Sequence, residues 1–362
     1  MLRFWLDCAL KGWNSRGYGN TIKAVKAMKT LARWITALIL VLTQAQTAMA
    51  DHPGPLTLKN RFPMHLLFLT PRPWSAQIPE QRTLGATVAV DYAPVYFSHA
   101  NDAWRFLMDM EMTTVDLVLS YGLTPRLALR AELPLVSMNA GFLDGMLEAY
   151  HDAIGVGNYG REQRPDNAFA YEISREERPW LKGESGSLSP ADLTLSAQWQ
   201  MLPRRNPRAW AASAILSLKV PSGNANQGLG SGRFDYGLYV NADRRIAPWS
   251  WYVMAGMAFN HDPDTLGARV EARPSLSLFT GLGYQYSART TWLIQVNSYT
   301  SPIRRTGISE VDNPSVELAL GLHYQAEKNW GVEFAFGEDL TRAAPDFSVR
   351  LGVRHQFQLG RD

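Results

Sequence analysis

Two sets of side chains in this sequence have types and spacings that could do chemistry. The first lies in GFLDGMLEAYHDAIG (141–155), where Asp144, Glu148, His151 and Asp152 recur mostly three or four residues apart. That spacing brings side chains together on one side of a helix. Carboxylates and an imidazole so grouped could take a hard cation or a polar ligand. The same stretch sets Phe142, Leu143, Met146, Leu147, Tyr150 and Ile154 along an apolar helical face. A short helix that folds this face onto its neighbours and leaves its acids in solvent accounts for both features. No further ligand residues accompany them, so no metal or cofactor is expected. The second set is Asp91, Asp116, Glu132, Asp192, Asp235, Glu317 and Glu333, with Arg130, Lys219, Arg350, Arg354 and His323. Together they suit a polar conduit with a mild preference for cations or neutral solutes, or a charge network that stiffens a closed interior. His323 shares its stretch with Glu317, and His355 lies on the outward face of the last strand, but neither histidine has a paired nucleophile and G-x-S-x-G is absent. An enzyme is therefore not expected.

Strands must position the second set. In DFSVRLGVRHQFQLG (346–360), Phe347, Val349, Leu351, Val353, His355, Phe357 and Leu359 alternate with Ser348, Arg350, Gly352, Arg354, Gln356 and Gln358. This period of two runs well past the five to six residues typical of a soluble strand. A tilted strand of roughly 9–11 residues crosses a bilayer, and such strands must close on themselves because hydrocarbon offers an unpaired edge no partner. The alternation repeats over 84–97, 112–122, 127–137, 192–202, 209–220, 233–243, 249–260, 275–287, 291–300, 314–325 and 330–340. The sequence thus predicts an all-β fold: a transmembrane antiparallel β-barrel of about 12 strands (10–14) spanning 84–360. An even count puts both chain ends on one side.

Connection length and aromatic position support this reading. The segments 123–126, 203–208, 244–248, 288–290 and 326–329 are short, and they alternate with longer ones at 98–111, 138–191, 221–232, 261–274 and 301–313. Short periplasmic turns opposite long external loops give that rhythm. The longest segment, 138–191, is expected to be a partly helical loop that caps or plugs the mouth. Tyr121, Trp199, Trp210, Trp249, Trp251, Trp292 and Trp330 gather at the short-turn ends, while Tyr92, Phe234, Tyr236 and Phe259 lie at the others. Amphipathic rings favour both membrane–water interfaces. Before the strands, residues 51–83 contain Pro53, Pro55, Pro63, Pro71, Pro73 and Pro79 and read as an irregular lead-in or a plug.

The first fifty residues read as a leader. The apolar run 34–43, with Lys29 and Arg33 ahead and Ala48-Met49-Ala50 behind, predicts a secretory signal cleaved after Ala50. A start at Met28 would give it ordinary length. The leader holds seven of the 36 basic residues and one of the 33 acids, so the remainder has 29 and 32, a net charge near −3. The chain's basicity is then no argument for nucleic acid. The lone cysteine, Cys8, also lies in the leader, which leaves no thiol for a disulfide or a metal.

The motifs GFLDG (141–145), YHD (150–152), REQRPDN (161–167), KVPSG (219–223) and GSG (230–232) resemble a widespread, uncharacterised family of outer-membrane barrels in Gram-negative bacteria, known as a domain of unknown function. The opening GPLTLKNRFP and the YGLTPRLALRAELPL stretch share that pattern. The resemblance implies the barrel and its location in the cell outer membrane, but no catalytic residue or substrate. The chain is also similar, more loosely, to barrels linked to transport in aromatic-compound degradation. Its last strand resembles the C-terminal insertion motif of such barrels, with Arg350, Gly352 and Phe357, although Gln358–Asp362 continue past the usual end. The expected partners are outer-membrane lipids, the barrel-assembly machinery through that strand, and a small-molecule solute. A channel or transporter for small, apolar or aromatic solutes is the leading expectation. A closed barrel with a structural or surface-interaction role is the alternative, and a lipid-modifying enzyme the third.

Overall fold

Residues that alternate in polarity build a wall when every strand finds two neighbours, and the computed structural model has that wall. It describes residues 54–155, 157, 160–206, 208–303 and 305–360. The expected signal segment, its start at Met28 and its cleavage site lie outside the described residues. The strands are β1 (Thr83–Ala100), β2 (Trp104–Thr124), β3 (Leu127–Asn139), β4 (Ala170–Arg175), β5 (Arg178–Lys182), β6 (Ser189–Pro190), β7 (Leu193–Leu202), β8 (Trp210–Val220), β9 (Asp235–Ile246), β10 (Trp249–Phe259), β11 (Ser275–Gln285), β12 (Thr290–Tyr299), β13 (Ser315–Glu327), β14 (Trp330–Asp339) and β15 (Phe347–Gln358). β1–β3 and β7–β15 pair in order, all antiparallel, and β15 returns to β1. The result is a closed barrel of 12 strands. The closing register runs from Thr83↔Gln358 to Tyr92↔Val349.

The two faces of this wall invert the arrangement of a soluble protein. Outward Leu119, Leu216, Leu278, Leu320 and Leu351 are 47–59% exposed, while inward Ser213, Ser217, Asn241, Gln295 and Asn297 are at most 5% exposed.

One expectation is corrected. The loop expected at 98–111 is strand, and only residues 101–103 connect β1 to β2. The reason is a change of phase in polarity. Above Asp91 and Asp116, the inward positions become Ala93, Val95 and Phe97 on β1 and Met112, Met110, Met108, Phe106 and Trp104 on β2, all buried. The outward positions there include Arg105, Asp109 and Glu111. The hairpin is thus apolar inside and polar outside, with Arg105 exposed and Asp109 and Glu111 covered by the loop residues that bind them, which reverses the lipid-facing alternation without breaking the strand.

This hairpin and its surroundings form a roof at the loop end. The 140–192 connection contains α1 (Asp144–Ile154), a 3₁₀ turn at Arg161–Gln163 and strands β4–β6. β4 pairs with β2 over Trp104–Asp109, where β3 has already ended, and β5 adds to β4. The roof core joins Phe97, Phe106, Met108, Met112, Met138, Ile173 and Trp180 with Phe62, Met64, Leu67 and Phe68 of the N-terminal segment.

Residues 54–79 fill the bore. They climb along β12–β14, where Gln295 and Asn297 donate to the carbonyls of Leu56 and Leu58 and Asn60 donates to Ala343 O. A single helical turn at Met64–Leu67 reverses the chain beneath the roof. It descends past Asp235, which accepts from Leu69 N, to Asn241, which donates to Trp74 O, and Gln200, which accepts from Ile78 N. Both ends of this doubled segment therefore lie at the short-turn end of the barrel.

Candidate functional site

The barrel register sets one charged layer across the bore. Five consecutive strands each turn an ionisable side chain inward at similar height: Glu333 on β14, Arg350 on β15, Asp91 on β1, Asp116 on β2 and Glu132 on β3. Asp91 and Arg350 are direct register partners, and Asp116 stands opposite Ala89, two residues from Asp91. The wall alone thus offers four carboxylates and one guanidinium. The inner segment brings two further cations, Arg61 and Arg72, both at most 3% exposed.

Arg350 Nη1 donates to Asp91 Oδ2 (2.6 Å) and Asp116 Oδ2 (2.9 Å), and its Nε donates to Glu333 Oε1 (2.8 Å). Arg72 donates to Asp116 Oδ2 (2.6 Å) and Glu132 Oε2 (3.2 Å), and to the Thr57 carbonyl (2.5 Å). Arg61 pairs with both Asp91 and Asp116. Thr57 completes the layer, with its amide and hydroxyl donating to Glu333 at 3.0 and 2.7 Å. Buried ions are tolerated when they are paired and hydrogen-bonded, and removing one partner strands the other. The inner segment and the wall are therefore electrostatically dependent on each other.

The remaining inward candidates hold the segment or the loops. Lys219 Nζ donates to Asp192 Oδ2 (2.5 Å) and Ser231 Oγ (2.8 Å), with Asp235 at 3.4 Å. Asp192 also accepts the amides of Ser222, Gly223 and Ser231 at 3.1, 2.9 and 3.2 Å. This knot gives KVPSG and GSG a structural reason: a Cβ on Gly223 would fall 2.0 Å from Leu229 O, and one on Gly230 2.2 Å from Asp192 Oδ1. His323 Nε2 lies 3.3 Å from Pro55 O and 3.6 Å from Glu333. Arg130 stacks over the Trp74 ring at 3.5 Å, and Arg354 donates to Gln325 Oε1 at 3.0 Å. Glu317, buried opposite Asp339 in register, stands apart from the charged layer.

The described loop candidates, Asp144, Glu148 and Asp152, are not brought into one metal-holding cluster, and the His151 side chain lies outside the described residues. Asp144 is buried and accepts from Arg161 Nη1 (2.6 Å) and Asn167 N (2.7 Å). Arg161 also pairs with Asp346. Glu111 on the β2 extension accepts the amides of Phe142 and Leu143 at 2.7 and 2.6 Å, and Arg164 binds Asp109 at 2.5 Å. GFLDG and REQRPDN thus clamp α1 onto the outer side of the roof hairpin. Glu148 is half-buried and Asp152 exposed. The expected apolar face divides, with Leu147 buried and Phe142 and Met146 exposed. Among the described residues, no group of three or more His, Asp or Glu side chains is arranged to hold a metal.

Several residues that matter here were not singled out in the sequence: Arg61, Arg72 and Thr57, and the seats Gln198, Gln200, Asn241 and Asp243. Gln200 Nε2 donates to Ala76 O at 2.8 Å, and Asp243 accepts Ser75 Oγ and Ala76 N at 2.8 and 3.0 Å. The available clue was a pair of arginines in a proline-rich lead-in facing an excess of inward acids.

A family model described as a protein of unknown function, DUF3187, matches residues 31–357. No curated protein sequence matches the chain. Among solved structures, the COG4313 outer-membrane channel from Pseudomonas putida F1 is 20% identical, with 78% of this chain and 97% of that one covered and a TM-score of 0.53. The NanC porin is 10% identical, covering 75% and 98%, with a TM-score of 0.42. The CymD monoaromatic hydrocarbon channel is 11% identical, covering 79% and 90%, with a TM-score of 0.38. The first of these likenesses is one of fold.

Proposed function

The chain belongs to the DUF3187 family of proteins of unknown function, and on that premise we propose an outer-membrane channel for small solutes whose bore is closed at rest by its own N-terminal segment. One observation carries the proposal. The wall's charged layer has four acids to one base, and two of the three further cations it calls for, Arg61 and Arg72, come from a separate, irregular segment. A barrel that needed only rigidity could balance those charges within its own strands. A wall that leaves its charge unbalanced until a removable segment is seated is built for two states.

The membrane reading rests on the outward face. Exposed leucines and valines around a closed, hydrogen-bonded wall suit hydrocarbon. The aromatic rings at both strand ends fit the interfaces, and the last strand with Phe357 at its end fits recognition by barrel-assembly machinery. Export through a signal cleaved after Ala50 belongs to the same reading. The roof favours apolar or aromatic solutes. Its inward side chains include Met108, Met110, Met112 and Met138 beside Phe97 and Phe106, and thioethers repack readily around varied apolar shapes. An enzymatic role finds less support, because the His323 ring faces Pro55 O and Glu333 beneath the inner segment.

Planar-bilayer conductance tests the proposal with three proteins: the mature chain, a deletion of residues 54–79, and a deletion within the 140–188 loop. The mature chain is expected to be closed most of the time and the segment deletion to conduct. A segment deletion that keeps heat-modifiable gel mobility yet stays silent would replace the channel with a closed structural barrel.

A further inference from the structure

The rim formed by the short turns is mostly basic. Exposed Arg126 lies in the β2–β3 turn, Arg205 and Arg208 in β7–β8, Arg289 in β11–β12, Lys328 in β13–β14 and Arg82 just before β1. Glu80 and Glu327 are the exposed acids among them. Among the described residues, none of these six cations pairs with a carboxylate. The loop end differs: its surface charges come in both signs and pair, as in Lys182–Glu172, Arg233–Asp264 and Arg342–Glu310. Ordinary solvation of a surface gives mixed signs that pair, so a rim of six unpaired cations against two acids calls for an anionic surrounding.

The depth of the rim identifies that surrounding. Arg208 is two residues from Trp210, Lys328 two from Trp330 and Arg289 three from Trp292, and all three indoles are exposed on the outward face. Interfacial indoles sit at headgroup level. A tilted strand advances on the order of 2–3 Å along the membrane normal per residue, so the cations stand a few ångströms beyond the rings, at phosphate depth. Arg244, whose guanidinium lies 5.7 Å from the Trp210 ring, joins the two layers.

We propose that this rim is a binding surface for the phosphate groups of anionic phospholipids in the leaflet around the short-turn end. The inference rests on the membrane reading above and is independent of whether the bore conducts. The belt anchors that end of the barrel vertically and enriches anionic lipid around it.

The test reconstitutes the mature protein in vesicles of phosphatidylethanolamine with a minor share of phosphatidylglycerol, extracts it gently, and quantifies co-purifying lipid by native mass spectrometry. Phosphatidylglycerol is expected to be enriched roughly fivefold over its share, the factor one basic residue's attraction to an anionic surface supports. Replacing Arg126, Arg205, Arg208, Arg289 and Lys328 together by Gln should abolish the enrichment, while Arg175→Gln/Arg178→Gln at the loop end should leave it unchanged. Heat-modifiable mobility of each variant establishes that the barrel is inserted. An inserted wild-type barrel with no enrichment, or equal loss in both variants, overturns the inference and leaves the membrane reading standing. Failure of the wild type to insert would overturn the membrane reading itself.

Discussion

Arg72→Met is the sharpest perturbation of the charged layer. Methionine keeps much of the side chain's length and apolar stem while removing the guanidinium. The substitution takes from Glu132 the guanidinium donor that the inner segment brings to it, leaves Asp116 with Arg61 and Arg350, and removes the donor to Thr57 O. Breaking one side of a buried ion pair costs about 3–5 kcal/mol. The barrel ladders do not involve Arg72, so that cost falls on the seated state of the segment. At about 1.4 kcal/mol per factor of ten, the seated-to-withdrawn ratio should fall by roughly two to three and a half orders of magnitude. Single-channel recording should show a matching rise in open probability, and protease added at the short-turn side should cut within residues 54–79. Glu132→Gln placed on Arg72→Met removes the stranded carboxylate and should recover part of the loss. A folded Arg72→Met barrel whose open probability and protease resistance match the wild type would refute the view that these charges hold the segment.

Other outcomes follow from the same geometry. Leu195→Arg, outward on β7 and 41% exposed, should cost about 2–4 kcal/mol in a lipid refolding titration. Thr194→Arg, inward against Arg72 and Glu132, should cost about 1–3 kcal/mol from overpacking, and that cost should vanish when residues 54–79 are deleted. Gly223→Ala drives a methyl into Leu229 O and should expose the 221–234 loop to limited proteolysis while leaving heat-modifiable mobility intact. Glu111→Ala deprives the amides of Phe142 and Leu143 of their acceptor, worth about 1–3 kcal/mol, and should speed hydrogen exchange at the start of α1 with little change in the barrel strands.

The wall was readable because lipid imposes a strict alternation of two polarities on every strand, and residues 192–201 display it without interruption. Legibility stopped where that solvent stops. The hairpin through Phe97 and Trp104 obeys water's rule with the phase reversed, so it looked like a loop. The inward acids Asp91, Asp116 and Glu132 were visible as a set from their parity. Arg350 was visible with them, but the counter-ions Arg61 and Arg72 were not, because they belong to a segment with no period, and its place is fixed by partners up to 293 residues away in sequence, as for Thr57 and Arg350. The Gln200 and Asp243 seats were hidden for the same reason. A polar side chain facing a bore looks the same in sequence whether it meets a solute or a backbone.

The doubled path of residues 54–79 decides how a seated barrier could leave. Its descending limb runs on into the first strand and its ascending limb starts beside Ser75, so the insert is tethered to the wall it closes. When it withdraws it stays attached through β1. Re-closure is then a first-order event at a fixed local concentration, indifferent to how many copies share the membrane.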